Sequence, residues 1–416
     1  MTLNNVPASA VRVYDLSLQG VEARYPTDGV LRILNGNVAQ WGDHGHIPLP
    51  DGSFTHTNLC TEDTPRADAL LQFLASGDHH AVTVEELFDT SPVEPLYVQA
   101  ASGGPIHPFC QRFPYAVFTE YLGGVPAIAN QVRKQDPRLW GLLENYLKEI
   151  VGSITGHHYP SHPWIRSAQH YLEDPLFKFF HEHLGERLFF GPGLATFSSV
   201  PFGDEIAVHD HALRAGLERF VRKAILVTDL KVSPDLPNRK ARQNRLITFH
   251  LQEGDTVECK RARHIQAQRL VQLGDRSPHT PIIVGDMNAL EDSLSYHVMR
   301  RSGYRDVHRT LHPEDPGHTY IAKNRIAEDK GSYYAGEPDV RIDMCFTRLR
   351  ALACRILFPQ TSTGYPISDH GFLDLVLKLD DVISESGEFP IVAPVNNAAT
   401  SGIFARTEDG TIRRVG

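Results

Sequence analysis

The feature that most constrains this 416-residue chain is a set of short apolar runs, each closed or interrupted by a polar residue. Leu31-Arg-Ile-Leu34 runs into Asn35-Gly-Asn37, and Ala81-Val-Thr-Val84 into Glu85-Glu86. Leu246–Leu251 contains His250. Pro281-Ile-Ile-Val284 runs into Gly285-Asp-Met-Asn288. Arg341–Phe346 contains Asp343, and Asp369-His370 directly precedes Phe372–Leu379. Runs of this length and composition are strands, and the most apolar are buried. Each polar residue alone has a structural explanation: a turn, a surface charge, a satisfied core histidine, a helix entry. Together they need another one, because polar residues at the strand ends of one layered sheet converge on one rim.

Helical patterns lie between the strands. Asp63-Thr-Pro65 starts a helix with proline in its first turn. Ala69, Leu70, Phe73 and Leu74 form its apolar face, and Gly77 stops it. Leu139, Leu142, Leu143, Tyr146, Leu147, Ile150 and Val151 keep helical spacing after an Asp136 cap. Ala224–Leu230 and Leu246–Leu251 flank a polar connection, which predicts an extended hairpin. Helices are expected from Asp255 to Leu273, and from a cap at Asp292 or Ser293 to a stop at Gly303. Residues 90–135 are rich in Gly, Pro and aromatics without periodicity. They read as an insertion, either a lid or a substrate-contacting segment, or as structure that the pattern does not reveal. Gly402–Val415 suggests a small hairpin.

Composition excludes several classes. Hydrophobic residues make up 41% of the chain, enough for a large core. No apolar run approaches the ~20 residues of a membrane span. The N-terminus lacks a signal-peptide pattern, so the expected location is cytoplasmic, or outside by a route without a classical signal. Lys and Arg number 41 against 50 Asp and Glu, a net charge of −9, which leans against a polyanion binder. Cys60, Cys110, Cys259, Cys345 and Cys354 include no paired CxxC spacing and read as reduced thiols.

The polar strand ends suit hydrolysis of a phosphate ester. Carboxylates and a side-chain carbonyl make a hard oxygen site for Mg²⁺. A histidine held by an aspartate can act as general base. No thiol or Ser–His arrangement competes for that role. Two His-x-His sets, His181/His183 and His209/His211, are weak metal candidates. His157-His-Tyr-Pro-Ser-His162-Pro-Trp164 is a stretch rich in histidine and aromatic residues. Phe177–Phe180 reads as core. The basic clusters Arg239-Lys240-Arg242-Arg245 and Lys260-Arg261-Arg263 read as a solvated hairpin tip and helix face.

Seven segments, in this order, resemble the endonuclease/exonuclease/phosphatase superfamily, the DNase I-like fold. They are Asn35-Gly-Asn37, Val84-Glu-Glu-Leu-Phe-Asp89, Gly193–Pro201, Thr248-Phe-His250-Leu-Gln252, Gly285-Asp-Met-Asn288, Arg341-Ile-Asp343 and Ser368-Asp-His370. Within it, Gly285–Met299, Asp315–Asn324 and Tyr365–His370 are most similar to the neutral sphingomyelinase branch. The resemblance implies a four-layer α/β sandwich spanning residues 1–384, with 385–416 as a C-terminal extension. It implies a Mg²⁺-dependent phosphodiesterase, Mn²⁺ substituting, that cleaves a phospholipid such as sphingomyelin and touches membranes peripherally. Glu86 would be the principal metal ligand, with Asn37 and Asp369 nearby. Asp286 and Asn288 would orient the attacking water and bind phosphate, or hold a second metal. His370 would be the general base, oriented by Asp343, and His250 would bind phosphoryl oxygens or assist the leaving group. One departure is that Glu85 stands where the family carries Gln. A nuclease is the alternative, nucleic acid being the less favoured substrate, and an inactive binding module on the same fold the second.

Overall fold

A computed structural model describes residues 11–40, 46–48, 54–56, 63–87, 93–119, 193–211, 213–215, 223–234, 241–324, 326, 338–382, 403–406 and 412–415. The chain divides into two units, Met1–Ser384 and Glu385–Gly416.

Two mixed sheets build the first unit. One has seven strands in the order β1 (Arg12–Asp15), β6 (Tyr115–Phe118), β7 (Ala195–Ser198), β5 (Ala81–Leu87), β2 (Val30–Gln40), β15 (Phe372–Val382) and β14 (Leu349–Leu357). The other has six: β12 (Arg305–Asp306), β13 (Asp343–Thr347), β11 (Pro281–Asp286), β10 (Gln243–His250), β9 (Ala224–Lys231) and β8 (Phe202–Asp210). A separate pair, β3 (His46–Pro48) and β4 (Phe54–His56), forms a two-stranded ribbon. In the second unit β16 (Ile403–Arg406) and β17 (Ile412–Val415) pair antiparallel, as the expected hairpin does.

Alternation along the strands sorts side chains into layers. Leu31, Ile33, Ala81 and Leu375 of the first sheet meet Leu246, Ile282, Val284 and Cys345 of the second in a core between the sheets. Their neighbours Leu34, Val82 and Val84 face outward, onto helices α1 (Asp63–Ser76), α2 (Glu94–Ala101) and α3 (Pro108–Arg112). On the second sheet, Ile225, Ile247, Ile283 and Phe346 face α4 (Val257–Asp275) and α5 (Leu294–Arg301). The result is helix, sheet, sheet, helix: the four-layer α/β sandwich that was expected. Strands buried on both faces read as continuous apolar runs, which is why these were visible in the sequence.

Local signals agree closely with the helix ends. Thr256 caps α4, its hydroxyl accepting from the Cys259 N–H at 3.2 Å. Ser293 caps α5 in the same way through Tyr296. The hairpin expected between residues 224 and 251 is the antiparallel pair β9 and β10. Cys110, Cys259, Cys345 and Cys354 are buried and form no disulfide.

Within the stretch at 90–135, the described residues carry structure that the sequence pattern does not reveal. Its described part, residues 93–119, carries α2, α3 and β6, and β6 pairs with both β1 and β7 inside the seven-stranded sheet. These elements are only 8, 5 and 4 residues long, too short for periodicity to register. The helix expected after Asp136 lies outside the described residues, as do His157–Trp164, Phe177–Phe180, His181 and His183.

Candidate active site

Toward one end of the sandwich the inner faces turn from apolar to polar. On β2 the inward positions pass from Leu31 and Ile33 to Asn35 and Asn37; on β5 they pass from Ala81 to Thr83 and Glu85. On β10 they pass from Leu246 to Thr248 and His250, and on β11 from Ile282 and Val284 to Asp286. Register brings the ends level: Asn37 lies opposite Glu85, His250 opposite Asp286, and Asp286 opposite Asp343 on the antiparallel β13. The rim expected from the strand ends is therefore one buried site fed by both sheets.

Its contacts join most of the residues singled out in the sequence. Asn37 Nδ2 donates to Asp286 Oδ2 at 3.3 Å. His250 Nε2 lies 3.4 Å from that oxygen and 3.7 Å from Glu86 Oε1. Asp286 Oδ1 accepts from the Asn288 backbone N–H at 2.7 Å, and Asn288 Nδ2 donates to the Leu251 carbonyl at 3.1 Å. His370 Nδ1 donates to Asp343 Oδ2 at 2.8 Å. Asp369 is buried beside them in the chain, its carbonyl accepting from the Ile321 N–H.

Backbone torsion explains how two consecutive acids serve one site. Neighbours on a strand point to opposite faces, so Glu85 and Glu86 should diverge. Glu86 instead has φ of +57°, and its carboxylate comes around to His250. Asn288 is also left-handed, at +49°. Such residues cost strain and cluster at functional sites. Gly285 has a different reason to be glycine: a Cβ there would sit 2.0 Å from the Phe249 carbonyl oxygen on β10.

Supporting residues that sequence reasoning did not assign hold the dyad. Thr319 Oγ1 accepts from the backbone N–H groups of Ile342 and Asp343, at 3.1 and 3.0 Å. Ser368 Oγ donates to the Asn37 carbonyl at 2.6 Å and accepts from the His370 N–H at 3.0 Å. Asn324 Nδ2 donates to the Ser368 carbonyl, and the Tyr320 ring lies edge-on to His370 at 5.3 Å. Thr319, Asn324 and Ser368 all fall in the quoted segments, so the signal was present without a role.

The electrostatics separate the two histidines. Burial, with the charges of Lys223 and His370, holds the His250 imidazole far below its ordinary value and keeps it neutral. Burial would also lower His370, but the Asp343 charge and hydrogen bond outweigh it. With Asp369 and Asp286 adding, His370 is pushed up to about 10. Burial and then Asp343 raise the Asp286 carboxyl. The same two causes raise Glu85 well above the carboxylate range.

The donor set fits a hard divalent cation. The residue types expected to hold it, in Glu86, Asn37 and Asp369, carry the oxygens that Mg²⁺ prefers. Buried carboxylates without compensation are costly, and Oδ1 of Asp343 and Oε2 of Glu85 accept no hydrogen bond among the described residues. Asp286, Asp343 and His370 also place donor atoms within 4.8 Å of one another. The 2.8 Å Asp343–His370 hydrogen bond already uses two of those groups, so that trio is better described as a dyad with an acid beside it.

Three residues of the basic clusters are structural. Arg245 pairs with Asp229 through two hydrogen bonds, at 2.9 and 3.0 Å. Arg242 bonds the Leu379 carbonyl, and Arg263 the carbonyls of Gln252 and Gly254. These three hold neighbouring chain and form no open basic groove. Lys260 and Arg261 match the solvated reading: both are exposed, Lys260 beside Asp255 at 3.6 Å. His211 is buried and its Nε2 donates to the His250 carbonyl at 2.9 Å, a support for the strand end, not half of a His-x-His metal pair.

No family model and no curated protein matches the chain. Among solved structures it is similar to SmcL, at 14% identity and a TM-score of 0.49, over 85% of this chain and 100% of that one. It is also similar to D. rerio TDP2 complexed with single strand DNA product, at 14% identity and a TM-score of 0.47, over 84% and 99%. A third is an endonuclease/exonuclease/phosphatase from Beutenbergia cavernae DSM 12333, at 12% identity and a TM-score of 0.41, over 86% and 72%.

Proposed function

We propose that this protein is a Mg²⁺-dependent phosphodiester hydrolase of phospholipase C type, acting on a phospholipid such as sphingomyelin. The observation that carries the reaction type is the buried His370–Asp343 dyad standing beside Asp286, Asn288, His250 and Glu86 at one rim. The lipid substrate rests on the resemblance to the sphingomyelinase branch.

The residues divide the work. Asp343 Oδ2 fixes Nδ1–H of His370, leaving Nε2 as the atom that takes a proton from the attacking water. Asp286 and Asn288 orient that water. His250, kept neutral, donates from its ring to a phosphoryl oxygen or to the leaving group. Glu86, Asn37 and Asp369 would hold the cation. Mg²⁺, when bound, supplies a Lewis acid for the phosphoryl group and a positive charge that offsets the carboxylates now holding His370 protonated. Attack is in line, with no covalent enzyme intermediate. Such a substrate calls for peripheral contact with a membrane; among the described residues no helix is long and apolar enough to cross one.

The test is a substrate panel of sphingomyelin, phosphatidylcholine, phosphoinositides, and single- and double-stranded nucleic acid, each with Mg²⁺ and with EDTA. Release of a phosphorylated head group only with Mg²⁺ is the expected result. Turnover of DNA or RNA alone would replace the lipid by a nucleic acid and keep the site. No hydrolysis of any substrate would favour a binding module.

A further inference from the structure

Among the described residues, Glu85 is the acid of this rim to which the proposed reaction gives no role. It is fully buried on the inner face of β5, opposite Asn37. Asn35 Nδ2 donates to its Oε1 at 2.7 Å and to Thr83 Oγ1 at 2.9 Å, so one amide fixes the carboxyl in place. Its other oxygen, Oε2, is buried and accepts no hydrogen bond among the described residues. Oδ1 of Asp343 and Oδ1 of Asn35 are in the same condition. Asn37, its partner across the strands, donates to Asp286, which sets Glu85 among the site acids and apart from the apolar core.

A side chain there only to fill space would be apolar, like Ala81 on the same face, or an amide that satisfies both its ends. Buried polar atoms without partners are rare and call for a reason. Two carboxylate oxygens and one amide oxygen, buried and without a hydrogen bond among the described residues, are what a hard cation would satisfy, since it takes oxygen donors and carboxylate charge. The left-handed turn at Glu86 is what allows this: it brings the second acid to the rim without turning the first away.

We propose that Glu85 belongs to the cation-holding set, adding a carboxylate to Glu86, Asn37 and Asp369, with Asn35 as its positioning residue. This rests on the metal-dependent reading above and assigns a function to the place where Glu replaces the family's Gln. It also makes the site more acidic, and so more dependent on a bound divalent cation, than a site with a neutral amide.

The test is Mn²⁺ titration of the full chain by calorimetry and by the electron paramagnetic resonance of free Mn²⁺, without substrate. Glu85→Gln keeps an acceptor for Asn35 and removes only the charge. It should weaken Mn²⁺ binding roughly 10- to 100-fold, while its unfolding in EDTA stays at or above that of the parent. Glu85→Asp should bind between the two. Wild-type affinity in Glu85→Gln, with affinity lost in Glu86→Gln, would overturn this inference and leave the metal site standing. No Mn²⁺ binding by the parent chain would overturn both. If Glu85→Gln does not fold, Asn35→Ala gives the same read-out, because it leaves the carboxylate but frees it: several-fold loss supports the proposal and parental affinity overturns it.

Discussion

His370 and Asp343 act as one unit, since a base whose tautomer is not fixed offers the wrong nitrogen half the time. His370→Ala should lower kcat by about 10²- to 10⁴-fold, the usual worth of a general base. Asp343→Asn should lower it nearly as far, with circular dichroism unchanged in both. Substantial turnover by either variant would remove the dyad from the reaction. The acids, amides and histidines of the site were all readable as polar residues where a packed strand should be apolar. Glu85 was the exception in meaning, not in visibility. Strand alternation allows only one of two neighbours to face inward, and the torsion that admits both, φ of +57° at Glu86, leaves no mark in residue order.

At the level of elements, what could be read depended on how completely a strand is buried. β2, β5, β10, β11 and β15 carry apolar side chains on both faces and stood out. β14 and β8 lie at sheet edges, half exposed, with Arg350, Arg355, Asp204 and Glu205 among their residues, and were not recognised. The glycine of Gly285-Asp-Met-Asn288 was legible as a motif, and its cause is contact between elements: β10 passes where its Cβ would be. Gly285→Ala should therefore cost at least about 3 kcal/mol in denaturant unfolding, the upper end of ordinary overpacking. A loss under half of that would mean that the strands separate easily. A second tie holds the edge strand. Asp374 on β15 meets His79 Nε2 at 3.1 Å and Arg355 Nε of β14 at 3.0 Å. The His79 hydrogen bond first, then Arg355 against the opposing effect of burial, hold its carboxyl below the ordinary 3.8. A carboxyl lowered in the folded state adds stability that is complete above its unfolded value and lost as pH falls through the folded one. Asp374→Asn should accordingly lower stability at neutral pH and flatten the acid limb below pH 3.8, followed by thermal unfolding across pH; parallel curves for parent and variant would refute the tie.

Across the whole sandwich, the contact between the two sheets changes character at the site. Elsewhere Leu31, Ile33 and Leu375 pack on Leu246, Ile282 and Val284, and burial of apolar area stabilises the interface. At the rim that packing gives way to carboxylates: Glu85 and Glu86 from the seven-stranded sheet, and Asp286 and Asp343 from the six-stranded one. Their mutual repulsion opposes the closure that the core favours. A divalent cation bound there would replace repulsion by attraction between layers that have no covalent link at that end. Mg²⁺ should then stabilise the fold and not only the reaction. A ligand that binds the native state alone adds about 2.7 kcal/mol at a concentration ~100 times its Kd. The melting temperature should rise with Mg²⁺ concentration and fall back in EDTA, and the rise should shrink in Glu86→Gln. Ca²⁺ serves as the control for size, since it prefers more ligands and a looser cage than Mg²⁺. A melting temperature indifferent to Mg²⁺ and Mn²⁺ over the whole range would mean that the rim tolerates its own charge, and the cation would lose its place in this fold.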